Sequence, residues 1–282
     1  MRLYGVSMVR NEADIVEASI RHNLAVLDGL VVVEHGSVDR TPEILAGLQS
    51  EGLRLDVVPD ERAEFFQGKR LGAVARRVMA EQHADFVFPV DADEFIKVAS
   101  REALESELSA LPHGSHAAMH WLTYVPESFP AGERVGLSHL RWRLEVERHG
   151  NYKCIIGRSF ADHPGQCLGS GNHFVDDPTA SEPPPHIVLR PEVVALAHCP
   201  VRSGEQLRQK VVLGYPAHMA TRPLGNKQAF HWMELYEELS TGARPSDARL
   251  REIACNYGVP KRDWQPADAI RLVEDPVVPI SA

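Results

Sequence analysis

Two carboxylates spaced i, i+2, Asp91 and Asp93, leave an apolar run, Phe86-Val87-Phe88-Pro89-Val90, in this 282-residue chain. Such a pair at a strand end can hold a hard divalent cation that keeps several waters and bridges substrate phosphates. An ion there neutralises a departing diphosphate without a protein nucleophile. The alternative is an acidic turn that solvates itself. The bulky lead-in and the strand-end position favour the metal. Two earlier apolar runs also end in polar residues, at Val9-Arg10-Asn11-Glu12 and at Glu34-His35-Gly36-Ser37. In an open α/β sheet, ligands bind beyond the carboxyl ends of the strands, so all three ends face one edge. Lys153 and Arg158, on a later run, form a candidate pair for a diphosphate.

The elements that must position these groups follow from periodicity. Leu3–Val9 reads as a buried strand. Asn11 is a good N-cap for a helix carrying Ile15, Val16, Ser19, Ile20, Leu24 and Leu27. Leu30–Glu34, Leu53–Val58 and Phe86–Val90 are further strands. Thr41-Pro42-Glu43 opens a second helix with Pro just inside its start. Leu71, Val74, Ala75, Val78 and Met79 mark a third. This alternation implies a parallel, doubly wound sheet through about residue 95. Then come a helix over Ser100–Leu111 and strands of mixed type over His116–Val125, Leu140–Arg148 and Tyr152–Arg158. Ala161–His186 is a long loop, the kind usually functional or mobile. A short strand, Val193–Ala197, ends at His198, and Ser203-Gly204-Glu205-Gln206 matches a capping box for the next helix. Phe230–Leu239 and Ala248–Tyr257 are the last helices, and the proline-rich tail after Gly258 wraps the surface or frays.

Several motifs together resemble family 2-type glycosyltransferases of the GT-A fold. Val9-Arg10-Asn11-Glu12-Ala13-Asp14-Ile15-Val16-Glu17 is similar to their opening, and Glu34-His35-Gly36-Ser37-Val38-Asp39-Arg40-Thr41 to their Asp-Asn-Gly-Ser-x-Asp-x-Thr segment. Phe88–Phe95 resembles their Asp-x-Asp-Glu-Phe metal motif. His198-Cys199-Pro200-Val201-Arg202-Ser203 followed by Lys210 resembles a His-x-Pro-x-x-Ser…Lys signature of one bacterial branch. The resemblance covers roughly residues 3–215. It implies a GT-A-like, doubly wound, mostly parallel sheet with a mixed second half and C-terminal helices. The expected division is residues 1–97 for nucleotide, 98–215 for metal and acceptor, and 216–282 as a helical extension and tail.

The resemblance also implies roles. Asp93 is the principal metal ligand, His198 the ligand from the second half, and Asp91 lies near the ribose or the metal waters. Imidazole with carboxylates suits Mn2+ or Mg2+, tilting toward Mn2+. Val9, Arg10 and Glu12 flank the base and ribose. Glu34 stands where the family has the Asp that contacts the base, so UDP is the default donor nucleotide while GDP, TDP and CDP stay open. Asp39 either joins this nucleotide contact or stabilises its own turn. Lys69 and Arg70 at a helix start, and Lys153, could meet the diphosphate. An inverting transfer needs a general base for the acceptor hydroxyl. Glu127 is the candidate, with Asp162, Asp176 and Asp177 competing. Trp121 and Tyr124 could stack on a sugar, and His173 could touch metal, phosphate or acceptor. The expected partners are a nucleotide-diphosphate sugar and a glycan or small-molecule acceptor.

Composition narrows the field. A hydrophobic share of 44% and a charged share of 24% are globular values, so 282 residues suffice for a core without staples. A net charge of −9 makes a nucleic-acid-coating protein a poor fit. The apolar stretches are strand-sized, so a transmembrane helix is not expected. Polar residues from Arg10 onward come too early for a signal peptide, so a cytoplasmic location is expected, with the inner membrane face as a peripheral option. Cys154, Cys167, Cys199 and Cys255 form no Cys-x-x-Cys pair, against a zinc ribbon or redox motif. No Gln-x-x-Arg-Trp motif is present, which disfavours a polymer synthase within the resembled family. The alternatives are a sugar nucleotidyltransferase, weakened by the absence of a glycine in the loop after the first strand, and an inactive nucleotide-sugar-binding module. Asp91, Asp93 and His198 too far apart to share an ion would favour the latter.

Overall fold

The computed structural model describes every residue except 63–65, 131, 133, 221–229, 243 and 280–282. The first half alternates β1 (Leu3–Val9), α1 (Val16–Val26), β2 (Gly29–Glu34), α2 (Thr41–Ser50), β3 (Leu55–Pro59), α3 (Gln67–Glu81) and β4 (Phe86–Pro89). Next come β5 (Glu94–Val98), α4 (Arg101–Ser109), β6 (His116–Thr123), β7 (Trp142–Leu144), β8 (Tyr152–Gly157) and the short α5 (Ser159–Asp162). The remainder is β9 (Cys167–Leu168), β10 (Val175–Asp176), β11 (His186–Val188), β12 (Val194–His198), α6 (Gly204–Ala220), α7 (Phe230–Ser240), α8 (Asp247–Cys255) and β13 (Leu272–Glu274).

The main sheet runs β3-β2-β1-β4-β8-β6-β12-β5, with β11 pairing the start of β6. β1 to β4 are mutually parallel. β8 runs antiparallel between β4 and β6. β12 is parallel to β6, and β5 closes the edge antiparallel to β12. This is the expected mostly parallel α/β sheet with a mixed second half and C-terminal helices. Parallel strands covered on both faces must be apolar on both, and strand side chains alternate with period two. So β1 and β2 send Leu3, Val9, Leu30 and Val32 into the core with α1 and α2, where Ile20, Leu24, Leu45 and Leu48 meet them. Val6, Met8, Val31 and Val33 point the other way, onto Leu71, Ala75, Val78 and Met79 of α3. Burying each such aliphatic side chain is worth about 1.5–3 kcal/mol.

Three expectations need correcting. Asn11 is not an N-cap. α1 begins at Val16, and Asn11 has a left-handed φ of 57° with its Oδ1 accepting the Val38 N–H. The β1–α1 loop is stitched to the β2–α2 loop instead: the Asn11 N–H donates to Ser37 and the Glu12 N–H to Thr41. Second, a strand, β5, follows the acidic turn immediately where no element was expected. Third, the expected boundaries at 97/98 and 215/216 fall inside β5 and α6.

The tail is anchored. β13 pairs antiparallel with β7. The Asp275 carboxylate accepts from Lys97 Nζ at 2.5 Å and Arg143 Nε at 2.7 Å, and the Tyr124 hydroxyl donates to its carbonyl at 2.6 Å. Burial works against the charge, but Lys97 and Arg143 hold the Asp275 carboxyl below its ordinary range. Its contribution is therefore present above the unfolded carboxylate pKa and is lost as pH falls through the lower folded value. Asp275→Ala should cost about 1–3 kcal/mol at pH 7, the usual worth of a charged hydrogen-bond acceptor left out. Urea titration reads this directly, and an unchanged midpoint would remove the anchor.

Candidate functional site

A cleft of about 810 Å3 opens where β1, β4 and β12 end. Asp91 and Asp93 enter it from the β4–β5 turn, where the Glu94 N–H donates to the Asp91 carbonyl and the Asp91 N–H donates to Glu94 Oε2. His198 enters from the last residue of β12, which pairs with Glu94 of β5. The register thus carries the imidazole to the acidic turn: His198 Nε2 lies 3.6 Å from Asp93 Oδ2.

Three cations face the carboxylates. Lys210, nearly two turns into α6, donates to Asp93 Oδ2 at 2.6 Å. Lys153 of β8, 1% exposed, bridges Asp91 Oδ2 at 2.8 Å and both Glu94 oxygens at 2.8 and 2.9 Å. Arg202, with no side-chain exposure, reaches Asp14 at 2.7 Å, Glu12 at 2.5 Å and Asp93 at 3.4 Å. Gln67 at the start of α3 donates to Asp91 Oδ1 at 2.8 Å. Burial disfavours the charge on Asp93, yet Lys210, His198 and Arg202 hold its carboxyl well below the usual range. Burial would also strip the proton from Lys153, but Asp91 and Glu94 raise its pKa above that of a free lysine. Both ions therefore stay charged at neutral pH.

The donor set fits a divalent cation that shares its coordination with substrate. Asp93 Oδ2 and His198 Nε2 stand 3.6 Å apart, wider than the roughly 3 Å between neighbouring ligands on a small octahedral ion, so a small closing movement would let both reach one ion. Among the described residues no group of three or more His, Cys, Asp or Glu could close a metal cage. The remaining positions suit waters and phosphate oxygens.

The aromatic wall consists of Trp121, 9% exposed, with rings of His149, His173 and His198 at 4.7, 5.3 and 4.4 Å. His173 Nδ1 lies 2.6 Å from the Tyr152 carbonyl. Burial and then the charge of Lys153 lower its pKa to about 4, so the ring is neutral at pH 7. Two glycines make room for this wall. A Cβ on Gly68 would lie 2.5 Å from the Leu168 carbonyl, so a glycine at this position lets the start of α3 pack closely on the loop before His173. Gly171, with φ of +64°, lies under the His173 ring, where a Cβ would stand 2.6 Å from Nε2.

The expected residues divide by place. Val9, Arg10, Glu12, Asp91, Asp93, Trp121, Lys153, His173 and His198 all line the cleft. Others lie outside it. Glu34 Oε1 accepts the Ser37 N–H, and Asp39 accepts the N–H groups of Thr41 and Ala13, so both carboxylates hold turns. Arg70 is buried against Asp60 at 2.8 Å, while Lys69 is exposed on α3. Arg158 lies 57% exposed near Asp85. Glu127 accepts from the Trp142 indole N–H at 2.7 Å and is not among the residues that line the cleft. Sequence reasoning missed Gln67, Tyr257 and Trp232, which line the cleft from α3, the end of α8 and α7. Arg202 and Lys210 were visible only as letters in the His-x-Pro-x-x-Ser…Lys string.

No family model and no curated protein matches this chain. Solved structures do. S. aureus TarS 1-349 in complex with UDP-GlcNAc is 16% identical, with 91% of this chain and 71% of that chain covered and a TM-score of 0.48. The mannosyltransferase PcManGT from Pyrobaculum calidifontis, in complex with GDP-Man and Mn2+, is 20% identical over 95% of this chain and 77% of that chain, with a TM-score of 0.44. Glucosyl-3-phosphoglycerate synthase from Mycobacterium tuberculosis, in complex with Mn2+, UDP and glucosyl-3-phosphoglycerate, is 21% identical over 43% of this chain and 44% of that one, at a TM-score of 0.29.

Proposed function

We propose that the chain is a metal-dependent, inverting glycosyltransferase that moves a sugar from a nucleotide-diphosphate donor, UDP-linked in the first instance, to a hydroxyl acceptor. The observation that carries this reading is the convergence of Asp93, His198, Asp91, Lys153 and Lys210 on one cleft beyond the strand ends. Asp93 and His198 would hold Mn2+ or Mg2+, with Asp91 beside it. The ion, when bound, supplies positive charge to the departing diphosphate. Lys153 and Lys210 add fixed cations at the same place, the arrangement that stabilises charge developing on a leaving group. Val9, Arg10 and Glu12 form the wall at the end of β1, the side assigned to base and ribose. Trp121 presents an aromatic surface toward the acceptor half. Asp93 and His198 stand close enough to share an ion, which argues against the inactive binding module. Among the described residues no helix is long and apolar enough to cross a membrane.

A thermal-shift panel of nucleoside diphosphates with and without Mn2+ tests this. A ligand at a hundredfold excess over its Kd stabilises the native state by about 2.7 kcal/mol. For a chain of this size that is a rise of roughly 5–11 °C. The expected result is an Mn2+-dependent rise with UDP. A folded sample that responds to no nucleotide would sink the proposal.

A further inference from the structure

A transfer to a hydroxyl needs a group in the cleft with a free lone pair. Each carboxylate there already faces a cation: Glu12 faces Arg202, Asp91 faces Lys153, Asp93 faces Lys210, and Glu94 faces Lys153. Among the cleft imidazoles, His186 uses both nitrogens, Nδ1 on the Pro184 carbonyl at 2.8 Å and Nε2 accepting the Val175 N–H at 2.8 Å. His198 Nε2 faces Asp93. His35 Nε2 lies 2.7 Å from the Arg62 carbonyl, near the end of β2 and away from the acceptor half.

His173 differs. A carbonyl only accepts, so the 2.6 Å contact with Tyr152 puts the proton on Nδ1 and leaves the lone pair on Nε2. No described protein group bonds that Nε2, and the His173 side chain lines the cleft. The ring is held from two sides, by the Trp121 indole at 5.3 Å and by the space over Gly171. An imidazole with one nitrogen fixed on a backbone acceptor and the other open to substrate has the form of a general base.

We propose that His173 Nε2 is the general base of the transfer, an inference that rests on the glycosyltransferase reading. The acceptor O–H gives its proton to Nε2. Its oxygen forms the bond to the anomeric carbon while the bond from that carbon to the diphosphate oxygen breaks. The electron pair leaves with the nucleoside diphosphate, and the proton passes from Nε2 to solvent afterwards. No further reactant is needed.

The test uses the full chain with Mn2+ and three donors, UDP-glucose, UDP-GlcNAc and GDP-mannose. Binding is read by thermal shift and turnover as nucleoside diphosphate released to water as acceptor. With the donor that shifts the wild type most, His173→Gln should lower kcat about 100-fold or more while donor KM stays within about twofold. Long-range 1H–15N NMR of the wild type should show the Nδ1–H tautomer at His173. A His173→Gln kcat within about threefold of wild type would overturn the assignment. So would an Nε2–H tautomer, or a loss confined to KM and melting temperature. A wild type that binds none of the three donors overturns the glycosyltransferase reading first, and this inference with it.

Discussion

Replacing Arg202 by methionine should destabilise the fold by about 3–5 kcal/mol, the typical cost of removing one partner from a buried ion cluster. That corresponds to a fall in melting temperature of roughly 6–20 °C for a chain of this size. The guanidinium is fully buried and touches Glu12, Asp14 and Asp93, so its loss strands Glu12 and Asp14 at once, while Asp93 keeps Lys210. Methionine keeps the volume, so the cavity contribution is small. The defect should shrink on mild acidification. Burial, helped by Asp93 and Asp14 and opposed by Arg202, already pushes Glu12 up to about 7. A native-state pKa above the unfolded value means stability grows as pH falls through the folded value toward the unfolded one. Protonated Glu12 also removes one of the stranded charges. Urea titrations of both proteins from about pH 5.5 to about pH 8, a window that spans that value, check the sign. A cost below about 1 kcal/mol at neutral pH would mean that Arg202 is not the keystone of the cluster.

Asp93→Asn should abolish the Mn2+-dependent part of the nucleotide-induced thermal shift and lower turnover about 100-fold or more. Asparagine preserves shape but loses the charge that meets Lys210, Arg202 and His198. The apo protein should lose much less than the Arg202 variant. Arg202 retains Glu12 and Asp14, and the Lys210 side chain is 19% exposed and can hydrate. Small apo loss with complete ligand loss is the pattern of a ligating group. Retention of an Mn2+-dependent shift in Asp93→Asn would move the ion elsewhere.

The sheet was legible because β1 to β4 are apolar on both faces and separated by helices with clear periods. The acidic turn was legible because Asp91 and Asp93 follow Val90 directly. β5 was not, because Glu94-Phe95-Ile96-Lys97-Val98 is short and sits between an acidic turn and the Ser100 cap. The Asn11 expectation failed because its side chain serves a neighbouring loop 27 residues away, a tertiary demand that local propensity does not contain. Half of the capping box at Ser203 formed: its Oγ accepts the Gln206 N–H, while Gln206 Oε1 takes the Arg202 N–H instead. Glu127 looked available in sequence because nothing in sequence shows that Trp142, 15 residues on, donates to it. His173 had no local signal for its tautomer, since that depends on a carbonyl 21 residues earlier on another element.

The ion pairs of the cleft also set an order of events in time. Asp14 meets Arg202 across 188 residues, Asp93 meets Lys210 across 117, and Asp91 meets Lys153 across 62. At a ribosomal pace of about 5–20 residues per second, Asp14 waits roughly 10–40 s for its guanidinium. During that interval β1 to β4 can collapse on their apolar faces, but the loops at their ends repel one another and stay hydrated. Closing such long loops is entropically slow as well. The carboxylates at the strand ends therefore meet their cations well after the sheet that carries them has been made, and a nascent chain acquires its binding site only after α6 has been made and docked.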